Sequence, residues 1–588
     1  MAIHVETGLM RSPTPYQSKA LAHLGLVAGM YDELGIGEKI DALIPHDETK
    51  RHISLGQAVK AMVLNGLGFA NRALYLMPHF FEDKPTARLI GSGVTADHLN
   101  DDVLGRTLDA IYQYGATPLY MALAGQAVSR LDLACRCVHL DSTSFHTDGV
   151  YNSLLDKEDV PFNTIHVTKG YSRDHRPDLN QIVLQLINEN QAGIPLTMST
   201  LSGHADDKTH FRKTVTEYVS QLQNDVGVEI FVADSALYNK ESLHEMELIP
   251  DLYWLTRVPM SIHDATQFVD TIGPELLAES TEDVVYRTLS TTYAGIRQRW
   301  IIVFSPDAHA RACKTVAKQW KKDLEADRKH WTQLTKKTFA SVEEAEAAFE
   351  VWQKKLLVTR VDSMRLISEP YYQGKGRPAK HRQPDGFTYR IDGERVEIIE
   401  KKEERTVRKS CFILATNHLD ADLTDMDALS GRIAKENNPI DSTDDVLELH
   451  PLATAPLVIA TYKGQQKVEK GFRFLKDPLF MATNLYLKSE ERIMALMMVM
   501  CLCLLVYAAL EYRVRQTLKE TGELFPNQCG QPVSNPTARW IFQYFKGIHV
   551  LILNTLEEYI LNLNEQQQLL LSLLGSRYID LYSNFEVT

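Results

Sequence analysis

Three carboxylates stand in settings that suit metal-dependent phosphate chemistry. Asp141 and Asp234 each follow a short apolar run, CVHL and IFVA, that predicts a buried strand. A carboxylate at a strand end is held by rigid backbone and can face solvent, and such positions are favoured ligand sites in α/β sheets. The third acid, Glu469, lies in TYKGQQKVEKGFRFLK. Because Mg²⁺ prefers oxygen ligands, the three acids are candidate metal ligands.

The segment around Glu469 predicts one amphipathic helix that ends near Pro478. Tyr462, Glu469 and Lys476 are spaced by seven residues, which is nearly two helical turns, so they share a stripe. The predicted polar face holds five side chains: Tyr462, Gln465, Glu469, Arg473 and Lys476. An adjoining apolar stripe could dock on a sheet: Val468, Phe472 and Leu475. The face therefore offers one acid among several groups that could contact phosphate.

Each of these features has an ordinary structural alternative. Aspartate often follows a strand because it caps a turn. A polar helix face is usually solvated and held by pairs of charges one turn apart. The two aspartates and the helix together favour a functional site over this alternative.

These residues resemble the bacterial insertion-sequence DDE transposases of the IS-four superfamily. That family carries a Y-x2-R-x3-E-x6-K signature, which Tyr462, Glu469 and Lys476 match, while Gln465 stands at the arginine position. HLDSTSF and FVADSALYNK resemble the segments with the first and second catalytic aspartates. The form YKGQQKVEKGFRFLK closely resembles the branch named after the IS-sixteen-thirty-four element. The resemblance covers roughly residues 135 to 510.

The resemblance implies an RNase H-like α/β fold with a large, partly β insertion before the Glu helix. It also implies two Mg²⁺ ions, for which Mn²⁺ can substitute, held by Asp141, Asp234 and Glu469. Two such ions can activate water and stabilise the leaving oxygen in phosphodiester cleavage. Asp141 would bridge both ions, while Asp234 and Glu469 would each hold one. The freed 3′-OH would then attack target DNA at the same site.

Further contacts to DNA are predicted outside the acids. By resemblance, Tyr462 and Lys476 contact the cut strand, and Gln465 and Arg473 join their face. The basic segment GKGRPAKHR, with Lys375, Arg377 and Lys380, resembles an AT-hook but suits a basic loop equally well. Residues 314–337 contain eight Lys/Arg against three Asp/Glu, which fits either a phosphate-binding surface or a solvated helix. Trp254 could stack on a base, although core packing is favoured.

The N-terminal region has sequence signals for helix starts. Ser54 and Gln57 form a possible capping box before apolar residues that recur at helical spacing. Asn100 or Asp101 could cap a second helix. This region is therefore predicted to be helical, with no competing strand pattern.

Apolar periodicity divides the chain into five regions. Strand-like runs at 182–187, 194–201 and 252–258 build an α/β core around the aspartates, and helical spacing dominates both ends. Residues 285–304 predict a hairpin, 314–357 charged helices and 358–408 polar strands and turns. The predicted regions are a helical N-terminal domain (1–134), the first part of the core (135–260), an insertion (261–410), the second part of the core (411–510) and a helical C-terminal region (511–588). The N-terminal domain either binds DNA ends or is a helical cap without a role of its own.

Composition limits the class of protein. The 588 residues carry a formal net charge of -13, so a DNA surface must come from local basic clusters. The seven cysteines are scattered, which favours reduced thiols over disulfides or zinc sites. His139 and His146, which flank Asp141, are interpreted as structural. The uncharged run 493–510 fits a membrane span or a buried helix, and we favour the buried helix.

The sequence thus predicts a cytoplasmic enzyme that acts on double-stranded DNA, namely terminal inverted repeats and target DNA, as a homodimer on paired ends and away from membranes. Two alternatives remain open from the residues. One is an RNase H-fold nuclease that cuts without strand transfer. The other is a DNA-binding derivative that has lost catalysis.

Overall fold

The computed structural model describes residues 16–45, 52–69, 74–147, 165–172, 176–205, 214–374, 380–419, 430–433, 450–477, 487, 489–553 and 557–586. The chain forms two compact units. Unit 1 contains residues 1–255 and 461–588, and unit 2 contains residues 256–460. All three candidate acids belong to unit 1.

The described part of the chain contains both helices and strands. The α-helices are α1 Leu24–Glu33, α2 Ile36–Leu43, α3 Leu55–Gly66, α4 Met77–Phe81, α5 Thr86–Leu89, α6 Asp101–Tyr114, α7 Ala116–Leu131, α8 Ser220–Val226, α9 Lys240–Glu247, α10 His263–Glu279, α11 Pro306–Thr335, α12 Val342–Gln353, α13 Ile399–Ser410, α14 Ala455–Lys463, α15 Gln466–Leu475, α16 Glu490–Thr521, α17 Ala538–Tyr544, α18 Glu565–Leu574 and α19 Ser576–Leu581. The strands are β1 Tyr16–Ala20, β2 Cys137–Thr147, β3 Asn180–Glu189, β4 Pro195–Ser202, β5 Ile230–Ala233, β6 Tyr253–Arg257, β7 Val284–Tyr293, β8 Ile296–Phe304, β9 Thr359–Tyr371, β10 Gly386–Glu397, β11 Cys411–Thr416, β12 Ser430–Ile433, β13 Phe525–Pro526, β14 Pro532–Val533, β15 His549–Leu553, β16 Glu557–Leu561 and β17 Phe585–Glu586.

The N-terminal part of unit 1 is helical, and its caps follow local sequence rules. Ser54 Oγ accepts a hydrogen bond from the Gln57 amide at 3.1 Å, and Gln57 Oε1 accepts one from the Ser54 amide at 3.0 Å. This is the predicted capping box of α3, which satisfies amide groups that a helix start leaves without partners. Asn100 caps α6 through the Val103 amide at 3.1 Å, also as predicted.

One strand in this region was not predicted. β1 pairs antiparallel with β15, more than 500 residues later, in the register Tyr16↔Leu553 to Ala20↔His549. The short segment YQSKA has no clear strand pattern of its own, because its first three side chains are exposed. The pairing partner, rather than local propensity, determines its conformation.

The sheet of unit 1 surrounds the candidate aspartates. Its strands lie in the order β4–β3–β2–β5, with β6 beyond β5. β2 is antiparallel to β3, and β3 to β4, whereas β2 is parallel to β5. The predicted runs at 182–187, 194–201 and 252–258 all lie in strands of this sheet. A mixed α/β arrangement is therefore confirmed.

Helix α16 contains the long apolar run. It is long and apolar enough to cross a membrane, yet 83% of its most apolar 18-residue window is buried within the protein. It packs against α1, α3, α6 and α7. The uncharged segment is therefore covered by protein on most sides, and the preference for a buried helix is confirmed.

Unit 2 combines an antiparallel sheet with helices. Its strands lie in the order β12–β7–β8–β11, and each neighbouring pair is antiparallel. The predicted hairpin is β7–β8, which turns at Ala294 and Gly295, both with positive φ. The predicted charged helices are α11 and α12. The expectation of strands and turns through residue 408 was wrong from Ile399, where α13 begins, because this helix packs against α10 and α11.

A long hairpin, β9–β10, forms a separate two-stranded sheet and has a hydrophobic core of its own. Its base packs on α11 and α12 through buried apolar side chains: Leu334, Phe339, Ala345, Trp352 and Ile391. Asp327 of α11 holds the start of β9, because its carboxylate accepts hydrogen bonds from the amides of Leu357, Val358 and Thr359 at 2.9–3.0 Å.

Candidate active site

The parallel pairing of β2 with β5 brings two of the candidate acids side by side. The register runs from Cys137↔Ile230 to Leu140↔Ala233. The next position in this register pairs Asp141 with Asp234, which follows β5 directly. Neighbouring strands lie about 4.8 Å apart, and residues at paired positions of parallel strands point to the same face. Two aspartates that are 93 residues apart in sequence therefore lie next to each other.

The prediction that Asp141 ends its strand was wrong. β2 continues for six residues beyond it, to Thr147, because β3 pairs with β2 along this whole length. On the other side of β2, β5 ends at Ala233, the neighbour of Leu140. From Asp141 onwards, β2 therefore pairs with β3 on one side and has an open edge on the other. Asp234 does end β5, as predicted.

Both aspartates are half-buried and accept local backbone hydrogen bonds. Asp141 Oδ1 accepts one from the Ser142 amide at 2.7 Å. Asp234 Oδ1 accepts one from the Ala236 amide at 2.9 Å, in the turn that leads to α9. Hydrogen bonds of this kind hold a carboxylate in one orientation.

The helix that carries Glu469 is interrupted, which corrects the prediction of one continuous helix. α14 ends at Lys463 and α15 begins at Gln466, with Gly464 and Gln465 between them. Hydrogen bonds of the tighter three-residue type span the break, such as Lys467 N to Gly464 O at 2.9 Å. Tyr462 therefore lies on the preceding helix, Gln465 caps α15, and Lys476 follows its last residue.

The predicted apolar stripe of α15 is buried, as expected. Val468, Phe472 and Leu475 are at most 6% exposed. Gly471 also faces inward, and a Cβ there would lie 3.1 Å from Leu504 Cδ2 of α16. The stripe docks the helix on the core of unit 1, so the polar flank is held at a defined orientation.

Two contacts place α15 along the face of β2 that carries Asp141. Odd-numbered residues of β2 share one face, since side chains alternate along a strand. A Cβ at Gly464 would lie 2.9 Å from His139 Nε2, so this glycine permits a close approach at one end. At the other end, Lys476 Nζ lies 5.7 Å from the ring centroid of Phe145.

In the sequence, Glu469 lies between Gly464 and Lys476, the residues that make these two contacts. Lys467 is turned towards the end of β3, where its Nζ donates to the carbonyls of Asn190 and, at 3.0 Å, Gln191. Residues two apart on a helix point about 200° apart, so Glu469 points away from β3. β5 lies on that other side of β2, and the Glu469 side chain is exposed.

The described residues contain no group of three His, Cys, Asp or Glu side chains that could hold a metal ion. Asp141 and Asp234 form an adjacent pair of oxygen donors, which suits a hard divalent cation. The third predicted ligand, Glu469, lies on a neighbouring element with its carboxylate in solvent. The strand register thus pairs Asp141 with Asp234, whereas Glu469 lies on α15, which packs against β2.

The other side chains around Asp141 have structural roles. His139 is buried, its Nε2 lies 3.1 Å from Asn190 Oδ1, and burial lowers its pKa to about 3. Burial also raises the pKa of the Cys137 thiol to about 12, which keeps it protonated. All seven cysteines are free, and five of them are buried.

A cleft of about 320 Å³ adjoins the outer side of α15. Its lining residues come from three helices and their ends: Lys470, Arg473, Phe474, Asp477, Tyr507 and Arg539. The Phe474 and Tyr507 rings lie 4.4 Å apart, and Arg539 Nη1 pairs with Asp477 at 2.7 Å. The role of Arg473 in DNA contact stays a prediction, and Arg539 was not singled out because no sequence pattern links α15 to α17.

The remaining predicted DNA-contacting residues lie in unit 2 or outside the described residues. Lys375 and Arg377 are outside them, whereas Lys380 is described and exposed. Trp254 is fully buried and its Nε1 donates to Glu247 at 2.9 Å, so the preference for core packing is confirmed.

Comparisons with known proteins give little further identification. Residues 16–125, the region from β1 into α7, match a family model described as Domain of unknown function (DUF4277). No curated protein matches the chain. Among solved structures, the chain is similar to a piggyBac transposase in a synaptic complex with hairpin DNA, with 10% sequence identity, a TM-score of 0.35, and coverage of 91% of this chain and 83% of that chain. A likeness this weak does not establish a shared fold.

Proposed function

We propose that this protein is a DDE-type DNA transposase in which Asp141, Asp234 and Glu469 bind the catalytic metal ions. The observation that carries the proposal is the parallel register of β2 and β5, which makes Asp141 and Asp234 neighbours. This strand register is an observation separate from the family resemblance, so the adjacency of the two aspartates supports the proposal independently.

The topology of unit 1 supports an RNase H-like core. Three antiparallel strands in sequence, β2 to β4, are followed by β5, which inserts next to β2 and runs parallel to it. The resemblance to insertion-sequence transposases implies this kind of core, with an insertion before the Glu helix. Unit 2, residues 256–460, is the segment between Asp234 and Glu469 that would be this insertion.

The proposed chemistry assigns distinct tasks to the side chains. Mg²⁺ ions, when bound, would supply activation of the attacking oxygen and stabilisation of the leaving one. Asp141 and Asp234 would bind these ions at the open edge of β2, where β5 ends. Lys476, over Phe145, and Arg473 would bind phosphates of the cut strand. Water and a 3′-OH are interchangeable attacking groups in such a site.

The proposal requires Glu469 to join the aspartate pair when metal and DNA bind. The Glu469 side chain is exposed and has three rotatable bonds. A change of rotamer alone therefore moves its carboxylate considerably. The protein would act in the cytoplasm as a homodimer on paired terminal repeats. Metal affinity measured by calorimetry should therefore be greater with DNA than without it.

The decisive experiment measures metal-dependent cleavage of DNA that carries the terminal repeats from the flanks of the gene. Asp141→Asn and Glu469→Gln should each reduce cleavage on the order of 10²-fold or more, as loss of a group that stabilises transition-state charge does. Glu523→Gln, an exposed acid elsewhere in unit 1, is the matched control and should keep full activity.

Three results would separate the alternatives. Cleavage that survives in both acid variants contradicts the proposal. Cleavage by the wild-type protein without joining of the 3′ end to target DNA indicates a nuclease. DNA binding without cleavage at any metal concentration indicates a derivative that has lost catalysis.

A further inference from the structure

Helix α11, Pro306–Thr335, separates its charges between two faces. The inward face packs apolar side chains against the rest of unit 2. It also includes the two aspartates near the middle of the helix. The buried residues are Ala312, Val316, Trp320, Asp323, Asp327 and Leu334. Burial of acids on a helix that is otherwise rich in lysine leaves the outer face strongly positive.

Both inward aspartates are fully used within the protein. Asp323 pairs with Arg405 Nη1 at 2.7 Å and accepts from Gln319 Nε2 at 2.8 Å. Asp327 accepts four hydrogen bonds from residues 357–359. Although burial raises the pKa of Asp327, the hydrogen bonds outweigh it and the pKa is lowered, so the carboxylate stays charged. Neither acid can neutralise the outer face.

The outer face carries exposed cations without carboxylate partners in the described part of the chain. They are Arg311, Lys314, Lys318, Lys321, Lys322, Arg328 and Lys329. At about 100° per residue these positions fall within an arc of about 120°. One exposed acid, Glu325, lies among them, and it pairs with none of them within 4 Å. The arc therefore carries seven cations and one acid, and we call it the α11 basic face.

Several arginines elsewhere in unit 2 do pair with carboxylates. Seven of them lie within 4 Å of a carboxylate: Arg287, Arg360, Arg382, Arg390, Arg405, Arg408 and Arg432. In a chain with a formal net charge of -13, acids for pairing are abundant. Along α11, by contrast, seven exposed cations lie on one helix face and none of them has such a partner among the described residues.

The length and residue type of the face suit one kind of partner. From Arg311 to Lys329 there are 18 helical steps, or about 27 Å at 1.5 Å per residue. Duplex DNA presents one phosphate charge per about 1.7 Å of axis, so a face of this length meets several phosphates. Five of the seven cations are lysines, whose compact charges on flexible stems bind phosphate without fixed geometry.

We infer that the α11 basic face binds the sugar–phosphate backbone of duplex DNA without reading its sequence. The inference rests on the proposed function, which supplies DNA as the partner, and adds a contact surface in unit 2. Contacts of this kind supply affinity that depends steeply on salt.

The test is the salt dependence of binding of the full chain to a short duplex of arbitrary sequence. The variant combines Lys314→Gln and Lys321→Gln, which lie on one stripe of the face, and glutamine keeps helix propensity near that of lysine. Loss of two phosphate contacts should make the slope of log K against log salt shallower by about 1.8. The matched control combines Lys354→Gln and Lys355→Gln, both exposed at the end of α12, and should keep the wild-type slope.

The outcomes separate this inference from the proposed function. Equal slopes for the α11 variant and the control, or no binding of duplex by the wild-type protein, overturn the inference. A shallower slope in the α11 variant supports it, even if Asp141→Asn still cleaves DNA, in which case the proposed function alone fails.

Discussion

At the scale of single residues, His139 is a buried histidine close to the candidate site. It lies two positions before Asp141 on the same face of β2, where a metal ligand would be well placed. Its ring is 1% exposed and packed beside Gly464, and burial lowers its pKa to about 3. The sequence-based preference for a structural histidine agrees with this environment.

The buried histidine has a measurable consequence for stability. Below pH 6.5, its ordinary pKa, the unfolded chain takes up a proton that folded His139 does not take up until about pH 3. The unfolding free energy should therefore fall as pH drops from 7 towards 4, and His139→Gln should flatten this fall by up to about 1.4 kcal/mol per pH unit.

Denaturant titrations between pH 4 and 8 would measure this effect. At pH 8 the imidazole is neutral in both states, so the difference between variant and wild type there reports packing alone. An unchanged pH slope in His139→Gln would contradict the assignment of a neutral buried imidazole.

At the scale of elements, side-chain periodicity predicted one feature of the Glu469 segment and missed another. The apolar stripe of Val468, Phe472 and Leu475 was correct because helical burial repeats at fixed spacing. The break at Gly464 was missed because spacing from Tyr462 to Lys476 is compatible with one helix. Close contact with His139 and Asn190 decides that break, and both lie more than 270 residues earlier.

Packing between α2 and α3 allows a sharp test at this scale. A Cβ on Gly56 would lie 2.4 Å from the carbonyl oxygen of Gly37, which is backbone and cannot rotate away. We expect Gly56→Ala to reduce the unfolding free energy by about 1–3 kcal/mol through overpacking.

Gly125 provides the control for this substitution. It lies in the middle of α7, and a Cβ added there would have no atom within 4 Å. Gly125→Ala should stabilise the protein by about 0.5–1 kcal/mol, because alanine loses less backbone entropy in a helix. Chemical denaturation of both variants measures the contrast, and equal effects would contradict the close approach at Gly56.

At the scale of the whole molecule, unit 1 is built from both ends of the chain. β1 pairs with β15, and Arg88 of α5 contacts the C-terminal region at three residues. Its guanidinium pairs with Glu558 at 2.6 and 3.0 Å and donates to the carbonyls of Leu581 and Ser583. The Arg88 side chain is only 4% exposed, so these contacts are shielded from solvent.

Loss of this connection should destabilise unit 1 strongly. Arg88→Ala leaves Glu558 without its partner, and breaking a buried pair typically costs about 3–5 kcal/mol. Arg106→Ala is the control, because its pair with Asp102 is exposed at 67% and 66% and should cost about 1 kcal/mol or less. Thermal unfolding should show a much lower Tm only for Arg88→Ala, and similar Tm values would contradict a structural role for this link.

The sequence by itself determined the local features of this protein. Helix caps, the buried run of α16, the strands of the core and the candidate acids all follow from residue type and short-range spacing, because propensity and side-chain periodicity act within a few residues. Only the tertiary structure decided which strands pair. The register of β2 with β5 that joins Asp141 to Asp234, the pairing of β1 with β15, and the outward cations of α11 depend on contacts between distant segments, whose free energy no local pattern records.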